Sequence, residues 1–432
     1  MKDLELFVEP PRVEWSALTA RAKVSAAPAV TERVAGILAR VRRDGDEAIR
    51  QLAAEIDHVS LGSLRVSDDE IASAAKVVPS DVKDAIETAI ANIAAFHRAQ
   101  MPSEIVVETS PGVTCVQRPV PIESVGLYIP GGTAPLFSTV LMLAVPAKIA
   151  GCHRIVMCTP TGPDGRVAPV VLYAAHRAGV REIFKIGGAQ AIAAMAYGTE
   201  TVPAVNKIFG PGNRYVTTAK QLVSTDSVAI DMPAGPSEVM VLADATADPE
   251  FVASDVLSQC EHGRDSQAIV VTDSVERARQ IIGEALRQAA LLPRIELVRD
   301  SLENSRVIVL ADRSDMLDFA NLYAPEHLIL SVADPDEAVT HITAAGSVFL
   351  GNFAPESVGD YASGTNHTLP TSGWATAVSG VNIESYLRRM TIQSLSPDGL
   401  RGLAPTVVSM ARAEGLDAHA RAVIVRLKDQ TL

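Results

Sequence analysis

A chain of 432 residues, 47% hydrophobic and only 21% charged, can bury substantial cores and has room for roughly two to four domains. This composition excludes a disordered chain. The 38 basic residues stand against 51 acidic ones, a net charge of −13, and no Lys/Arg cluster forms a phosphate-tracking stripe, so nucleic acid is not an expected partner.

The start, MKDLELFVEPPRVEW, has no basic region followed by an apolar one, and no signal for export or anchoring is expected. From Thr31 to Asp57, Val34, Ile37, Leu38, Val41, Ile49 and Leu52 mostly recur at three- and four-residue steps. The interruption at Gly45 predicts two helices joined there. A further helix follows Pro79, with Ser80 as its N-cap and Ile86, Ile90, Ile93 and Phe96 on one face. The most apolar run, VLMLAVPA from Val140, meets Lys148 well short of a membrane span, so no membrane association is expected.

Beyond it, the runs RIVMCT, EIFKIGG, EVMVLAD, AIVVTD, RVIVLAD, HLILSV and SVFLG alternate with helical patterns. This rhythm predicts an α/β fold of parallel sheets wound by helices. The segment from Tyr128 to about Met232 carries the most Gly/Pro turns (YIPGG, GPGN, MPAGPS) and reads as a unit inserted into a larger one. After Gly380 the strand signals fade, and the tail reads as helices with breaks at Pro397, Pro405 and Gly415. Cys115, Cys152, Cys158 and Cys260 form no C-x-x-C pair, so disulfides are not expected and a reducing, cytoplasmic home fits.

Several polar clusters interrupt this pattern. In LSQCEHGRDSQ, Gln259 and His262 stand three apart and on a helix would share a face, presenting an amide oxygen and an imidazole to one ion. Taken alone, local hydrogen bonding by Gln259 and a helix end at His262 before Gly263 are the plainer account; Glu261 and Asp255 add negative charge without an assigned partner. In YAPEHLIL, Glu326 and His327 lead directly into an apolar strand, which holds a base and a carboxylate at a sheet edge; a solvated surface turn is the plain alternative. The polar run GNFAPESVGDYASGTNHTLPTSGW holds Glu356, Asp360, Asn366 and His367 in a long loop of the kind that often carries function. Glu414 and His419 flank Gly415, where a turn could bring them toward one point; taken alone, a terminal His is usually just exposed. Cys260 lies between Gln259 and Glu261 but off their helix face, and surrounding carboxylates would raise its pKa, so it is not expected to act as a nucleophile.

No G-x-G-x-x-G follows a strand, so the ordinary dinucleotide fingerprint is absent. Gly187, Gly188, Ala189 and Gln190 open an Ala-rich helix after EIFKI, and GPGN spans Gly210 to Asn213. Both suit close backbone approach to a ligand, and both equally suit tight turns.

Together, VGLYIPGGTAPLFSTVLMLAVPAKIAGC, GGAQAIAAMAYGTETVP, KIFGPGNRYVT, AIDMPAGPSEV, SQCEHGRDSQ, YAPEHL and GDYASGTNHTLPT resemble histidinol dehydrogenase, from about residue 25 to the C-terminus. The resemblance implies two incomplete Rossmann-like, doubly wound domains with a small helical C-terminal arm. Its boundaries are an N-terminal arm at 1–24, a larger α/β domain at 25–127 plus 236–379, an inserted α/β domain at 128–235, and an arm at 380–432 that crosses to the partner of a homodimer. It implies one zinc ion per subunit held by Gln259, His262, Asp360 and His419, with Glu326 and His327 catalytic. L-Histidinol would be contacted by Ser237, Gln259, His262, Glu326, His327, Asp360, His367, Glu414 and His419, and NAD by Tyr128, Gln190 and Asn213. The implied reaction is the NAD-linked oxidation of L-histidinol through the aldehyde to L-histidine, the last steps of histidine biosynthesis. Where the family's motif more often has Ala, this chain has Cys260. A related dehydrogenase acting on another polar alcohol, and a zinc hydrolase using Glu326 and His327 on water, are the competing readings; Glu414 and His367, and the GGAQ and GPGN strings, weigh against them respectively.

Overall fold

The computed structural model describes residues 4–21, 28–131, 135–232 and 235–427. Parts of the YIPGG and MPAGPS turns (132, 233–234) and of the N-terminal arm (1–3, 22–24) lie outside the described residues. The chain divides into two compact units, Met1–Gln100 with Ile122–Ser385, and Met101–Pro121 with Tyr386–Leu432.

The first unit opens with β1 (Glu5–Val8), α1 (Trp15–Leu18), α2 (Pro28–Leu52), α3 (Asp68–Val77) and α4 (Ser80–Ala99). The expected break at Gly45 is a kink within α2: its backbone is left-handed at φ 53, and a Cβ there would lie 2.3 Å from the Glu200 carboxylate. On α4 the structure corrects two expectations. Pro79, not Ser80, is the N-cap, and the buried face is Ile86, Ala89, Ile93, Ala94 and His97, with Phe96 48% exposed.

The second unit contributes β2 (Ile105–Ser110) and β3 (Val113–Pro121) next in the chain. The first unit resumes with β4 (Ser124–Tyr128), α5 (Phe137–Ala150), β5 (Arg154–Thr159), α6 (Pro169–Ala178), β6 (Glu182–Lys185), α7 (Gly188–Tyr197), β7 (Lys207–Phe209), α8 (Arg214–Val223) and β8 (Ala229–Ile230). These five strands form a parallel sheet in the order β6-β5-β4-β7-β8. The VLMLAVPA run lies in α5, which packs against α4 and α6 and is buried over nearly its whole length, as a helix apolar on all sides must be. Among the described residues no helix is long and apolar enough to cross a membrane.

The rest of the first unit comprises β9 (Glu238–Ala243), α9 (Pro249–Cys260), β10 (Gln267–Thr272), α10 (Val275–Ala289), α11 (Ile295–Leu302), β11 (Arg306–Val309), α12 (Arg313–Tyr323), β12 (His327–Ser331), α13 (Pro335–Val339), β13 (Ser347–Leu350) and α14 (Glu356–Tyr361). With β1 these strands make a six-stranded parallel sheet, β1-β11-β10-β9-β12-β13. Every apolar run read as a strand is one. Strands β9, β10 and β12 are buried at every position because helices cover both faces. The alternation of a strand divides the core in two: Val239, Val241 and Ala243 pack with Val252, Val256 and Ile281, while Met240 and Leu242 pack with Trp15, Phe319 and Tyr323.

The second unit closes with β14 (Leu387–Leu395), α15 (Pro397–Ala413) and α16 (Asp417–Leu427), and its sheet is antiparallel in the order β14-β3-β2. The tail thus contains a strand besides the expected helices. In LRRMTIQSL no position is buried, so no apolar alternation announced it. Pro397 begins α15 behind the Ser396 cap and Gly415 ends it, but Pro405 sits inside the helix without breaking it.

Candidate functional site

Helix α12 ends at Ala324, which is left-handed at φ 50, the chain turns through Pro325, and Glu326 and His327 arrive together at the amino end of β12. His327 lies in register with Val239 of β9 and Ser347 of β13. Both side chains are buried, and both are held by the main chain of Glu238. Its N–H donates to Glu326 Oε2 at 2.8 Å, and its carbonyl lies 3.2 Å from His327 Nδ1. A neutral ring therefore carries its proton on Nδ1, donating to that carbonyl, and presents a lone pair at Nε2. Nε2 is buried without a hydrogen-bond partner, 3.4 Å from Asp360 Oδ1.

Helix α9 begins behind Asp248, whose carboxylate accepts from the Glu250 N–H, and its last turn presents Gln259, fully buried, with the partly exposed His262 just beyond. Glu356 and Asp360, four apart on α14, share a helix face. Gln259, with its amide nitrogen toward Glu356, donates to both carboxylate oxygens at 2.8 and 3.1 Å, and its Oε1 accepts from the Glu238 N–H at 2.8 Å. Ser258 Oγ donates to Glu356 Oε1 at 2.8 Å, and His367 Nδ1 lies 2.9 Å from the Asp360 carbonyl. His262 Nε2 is 4.0 Å from Asp360 Oδ2, and His262, Glu356 and Asp360 each offer one atom within 4.8 Å of the others. This mixed nitrogen and oxygen set suits zinc and similar divalent ions.

The charges in this cluster interact strongly. Burial pushes the Glu326 and Glu356 carboxyls up to about 8 against the opposing pull of His327. For His327 burial works downward, but the carboxylates of Glu326, Asp360 and Glu356 outweigh it and push the imidazole up to about 10. Asp360 goes the other way: burial would raise it, and the His327 ring holds it below the usual range. Asp255, the acid without an assigned partner, is pushed by burial up to about 7. Cys260 points into the core and its thiol is pushed up to about 11, as expected in direction, though burial rather than nearby carboxylates is the main cause.

Ser237 immediately precedes β9, and its carbonyl accepts from the Gln267 N–H at 3.1 Å. The cluster occupies the amino ends of β9 and β12, opposite the edge where open parallel sheets usually bind ligands. Tyr128, Gln190 and Asn213 lie instead at the carboxyl edge of the five-stranded sheet, where the strand order reverses about β4. Tyr128 ends β4 and its hydroxyl accepts from the Gly188 N–H at 3.1 Å; Gln190 Nε2 donates to Asp57 at 3.2 Å. Asn213 caps α8, its Oδ1 accepting from the N–H groups of Tyr215 and Val216. Glu414 and His419 belong to the second unit, at the C-cap of α15 and in α16.

The family profile described as histidinol dehydrogenase matches residues 20–427. The chain belongs to the histidinol dehydrogenase family. It is 53% identical to the histidinol dehydrogenase of Bacteroides thetaiotaomicron over 98% of this chain and 99% of that one, and 50% identical to that of Escherichia coli K12 over 97% and 98%. The crystal structure of histidinol dehydrogenase from Elizabethkingia anophelis superposes with a TM-score of 0.96 at 46% identity, covering 99% of both chains. Against this family background, two residues of the cluster were not assigned roles from sequence. Glu356 was visible only as one acid in a polar loop. Glu238 opens an otherwise apolar, fully buried strand, and an acid in that place must be paired; that was the available signal.

Proposed function

We propose that this chain is a zinc-dependent, NAD-linked dehydrogenase that oxidises L-histidinol through L-histidinaldehyde to L-histidine, the last steps of histidine biosynthesis. The observation that carries this reading is His327: Nδ1 is pinned to the Glu238 carbonyl, and Nε2 is buried 3.4 Å from Asp360 Oδ1. A base so oriented takes the alcohol proton at Nε2 in the first oxidation and a proton from water in the second. Glu326, adjacent to it, polarises the water that attacks the aldehyde. Retaining the aldehyde in one site keeps a reactive intermediate oriented for the second transfer.

Gln259, His262 and Asp360, with His419, would hold zinc, which supplies a fixed charge that grips and orients the substrate. The fit rests on two of these, His262 Nε2 and Asp360 Oδ2, which lie 4.0 Å apart, with a Glu356 carboxylate oxygen within 4.8 Å as a further donor. Ser237, His367 and Glu414 complete the substrate contacts. Tyr128, Gln190 and Asn213 would hold NAD, the hydride acceptor of each oxidation. Gly210 packs directly on the Tyr128 main chain, where a Cβ would lie 2.1 Å from the carbonyl oxygen, so the end of β4 and the Gly210–Asn213 turn are held together. On this reading the 128–235 segment is the inserted, dinucleotide-binding part, and the protein works in the cytoplasm as a homodimer whose 380–432 arm reaches the partner. Exposed Ile105, Val106, Met390 and Met410 in the second unit favour such an association.

The test is an NADH-linked assay of purified protein with L-histidinol, with zinc and after chelation. Two NADH per histidinol, lost on chelation and restored by zinc, is the expected result; no NADH from zinc-loaded protein refutes the proposal.

A further inference from the structure

The acid that opens β9 is 2% exposed and is held by a residue far away in sequence. Arg21 grips the Glu238 carboxylate as a two-pronged fork, Nε to Oε1 at 2.6 Å and Nη2 to Oε2 at 2.9 Å, and the Ser372 N–H adds a third bond at 2.8 Å. The same Nη2 donates to the Tyr323 carbonyl at 2.6 Å, and the guanidinium lies 4.0 Å over the Tyr323 ring. Tyr323 is the last residue of α12, where carbonyls lack helical partners and a cation is favoured. One guanidinium therefore ties the first residue of β9 to the turn that delivers Glu326 and His327.

We propose that Arg21 and Glu238 are positioning residues for the Glu326–His327 pair, a role that rests on the catalytic reading above. Glu238 acts on both members through its main chain: its N–H fixes the Glu326 carboxylate, and its carbonyl fixes the His327 tautomer. Its side chain sets where that main chain lies, and Arg21 sets the side chain. A lysine at 21 keeps the charge but has no planar fork to span both the Glu238 carboxylate and the Tyr323 carbonyl. Misplacing a reacting group by about 1 Å costs on the order of 100-fold in rate. The loss falls on kcat, because His262 and Asp360 make no bond to Glu238, and Gln259, which shares the Glu238 N–H, stays held by its two bonds to Glu356.

The experiment compares the full-length parent with Arg21→Lys, Arg21→Ala and Glu238→Gln, measuring kcat and KM for L-histidinol, kcat for L-histidinaldehyde, bound zinc per chain and melting temperature. The expected result is a fall in kcat of about 10- to 100-fold for Arg21→Ala and Glu238→Gln and a smaller one for Arg21→Lys. Both oxidations slow together, KM stays within about threefold and zinc content is unchanged. A kcat within about twofold of the parent in all variants overturns the proposal, as does a loss that merely tracks the fraction of folded, zinc-loaded chain. If Arg21→Ala does not fold, Arg21→Lys and Glu238→Gln decide by the same criteria. A parent inactive on L-histidinol refutes the catalytic reading instead, which keeps the two failures apart.

Discussion

Lys220→Met tests whether a buried ion pair shapes the loop proposed to approach NAD. Lys220 on α8 and Asp231 beyond β8 form an ion pair with side chains 5% and 1% exposed. The pair brackets one residue: Lys220 Nζ donates to the Gly210 carbonyl at 2.9 Å, and Asp231 Oδ2 accepts from the Gly210 N–H at 2.8 Å. Gly210 is at φ 124. Methionine matches the lysine stem in length but leaves Asp231 buried without its ion-pair partner, with Lys207 the remaining cation acting on it; breaking a buried pair typically costs about 3–5 kcal/mol. Two N–H donors remain on Asp231, from Gly210 and Met232, so the loss belongs at the lower end, about 3 kcal/mol. At about 2–4 °C per kcal/mol for a domain of this scale, the melting temperature falls by roughly 6–12 °C. The freed Gly210 carbonyl also loosens the loop from Gly210 to Asn213, so the Kd for NAD, read by calorimetry below the melting range, rises about 10-fold while zinc content is unchanged. Adding Asp231→Asn removes the stranded charge and recovers much of the stability but not the affinity. A single variant melting within about 1 °C of the parent and binding NAD normally refutes the reasoning.

His327→Asn slows both oxidations, by about 100-fold or more, while zinc stays bound; normal turnover of either substrate removes the base assignment. His262→Asn lowers bound metal and L-histidinol affinity together, measured by metal analysis and calorimetry; a fall in one alone separates the two roles. The base must be neutral to accept a proton, and neighbouring carboxylates raise the His327 imidazole from the ordinary 6.5. With zinc on Asp360, Glu326 and Glu356 remain to draw the acid limb of the kcat profile upward from there. Glu356→Gln removes a carboxylate 4.0 Å from Nδ1 and moves the limb to lower pH; a limb that stays put or moves upward contradicts the electrostatic account.

The strands of the two parallel sheets were legible because burial on both faces makes each one a short unbroken apolar run: EVMVLA and QAIVVT can pack nowhere else. Gln259 and His262 do not share a helix face as their spacing suggests: α9 ends at Cys260, and His262 reaches to within 4.0 Å of Asp360 on α14 from the turn beyond it. The strand at Leu387–Leu395 was not legible because it buries no position and its residues follow no two-residue alternation. On α4 the aromatic Phe96 stands at helical spacing with the apolar residues yet faces solvent, whereas His97 is buried in the face with Nδ1 at 2.8 Å from the Ile93 carbonyl. The links from Glu238 to Glu326 and from Arg21 to Glu238 span 88 and 217 residues, and no local pattern encodes contacts of that range.

The side of the sheet on which the cluster formed was the larger surprise, and it has a physical reason. Loops at carboxyl ends of parallel strands lead into helix N-termini, whose free N–H groups suit anionic groups such as phosphates; the Gly187–Gln190 and Gly210–Asn213 turns of the five-stranded sheet are of this kind. A proton-transferring pair has a different need, for a fixed tautomer and a carboxylate held in a dry place. Glu326 and His327 meet it at the amino end of β12, because the neighbouring strand β9 begins there with a main-chain N–H free to take the Glu326 carboxylate and a carbonyl within reach of the His327 ring. Once β9 and β12 are paired further along, such groups are consumed by the ladder. The first residue of an interior strand is thus one of the few buried positions where a backbone can orient a base, and the sequence YAPEHL places His327 there.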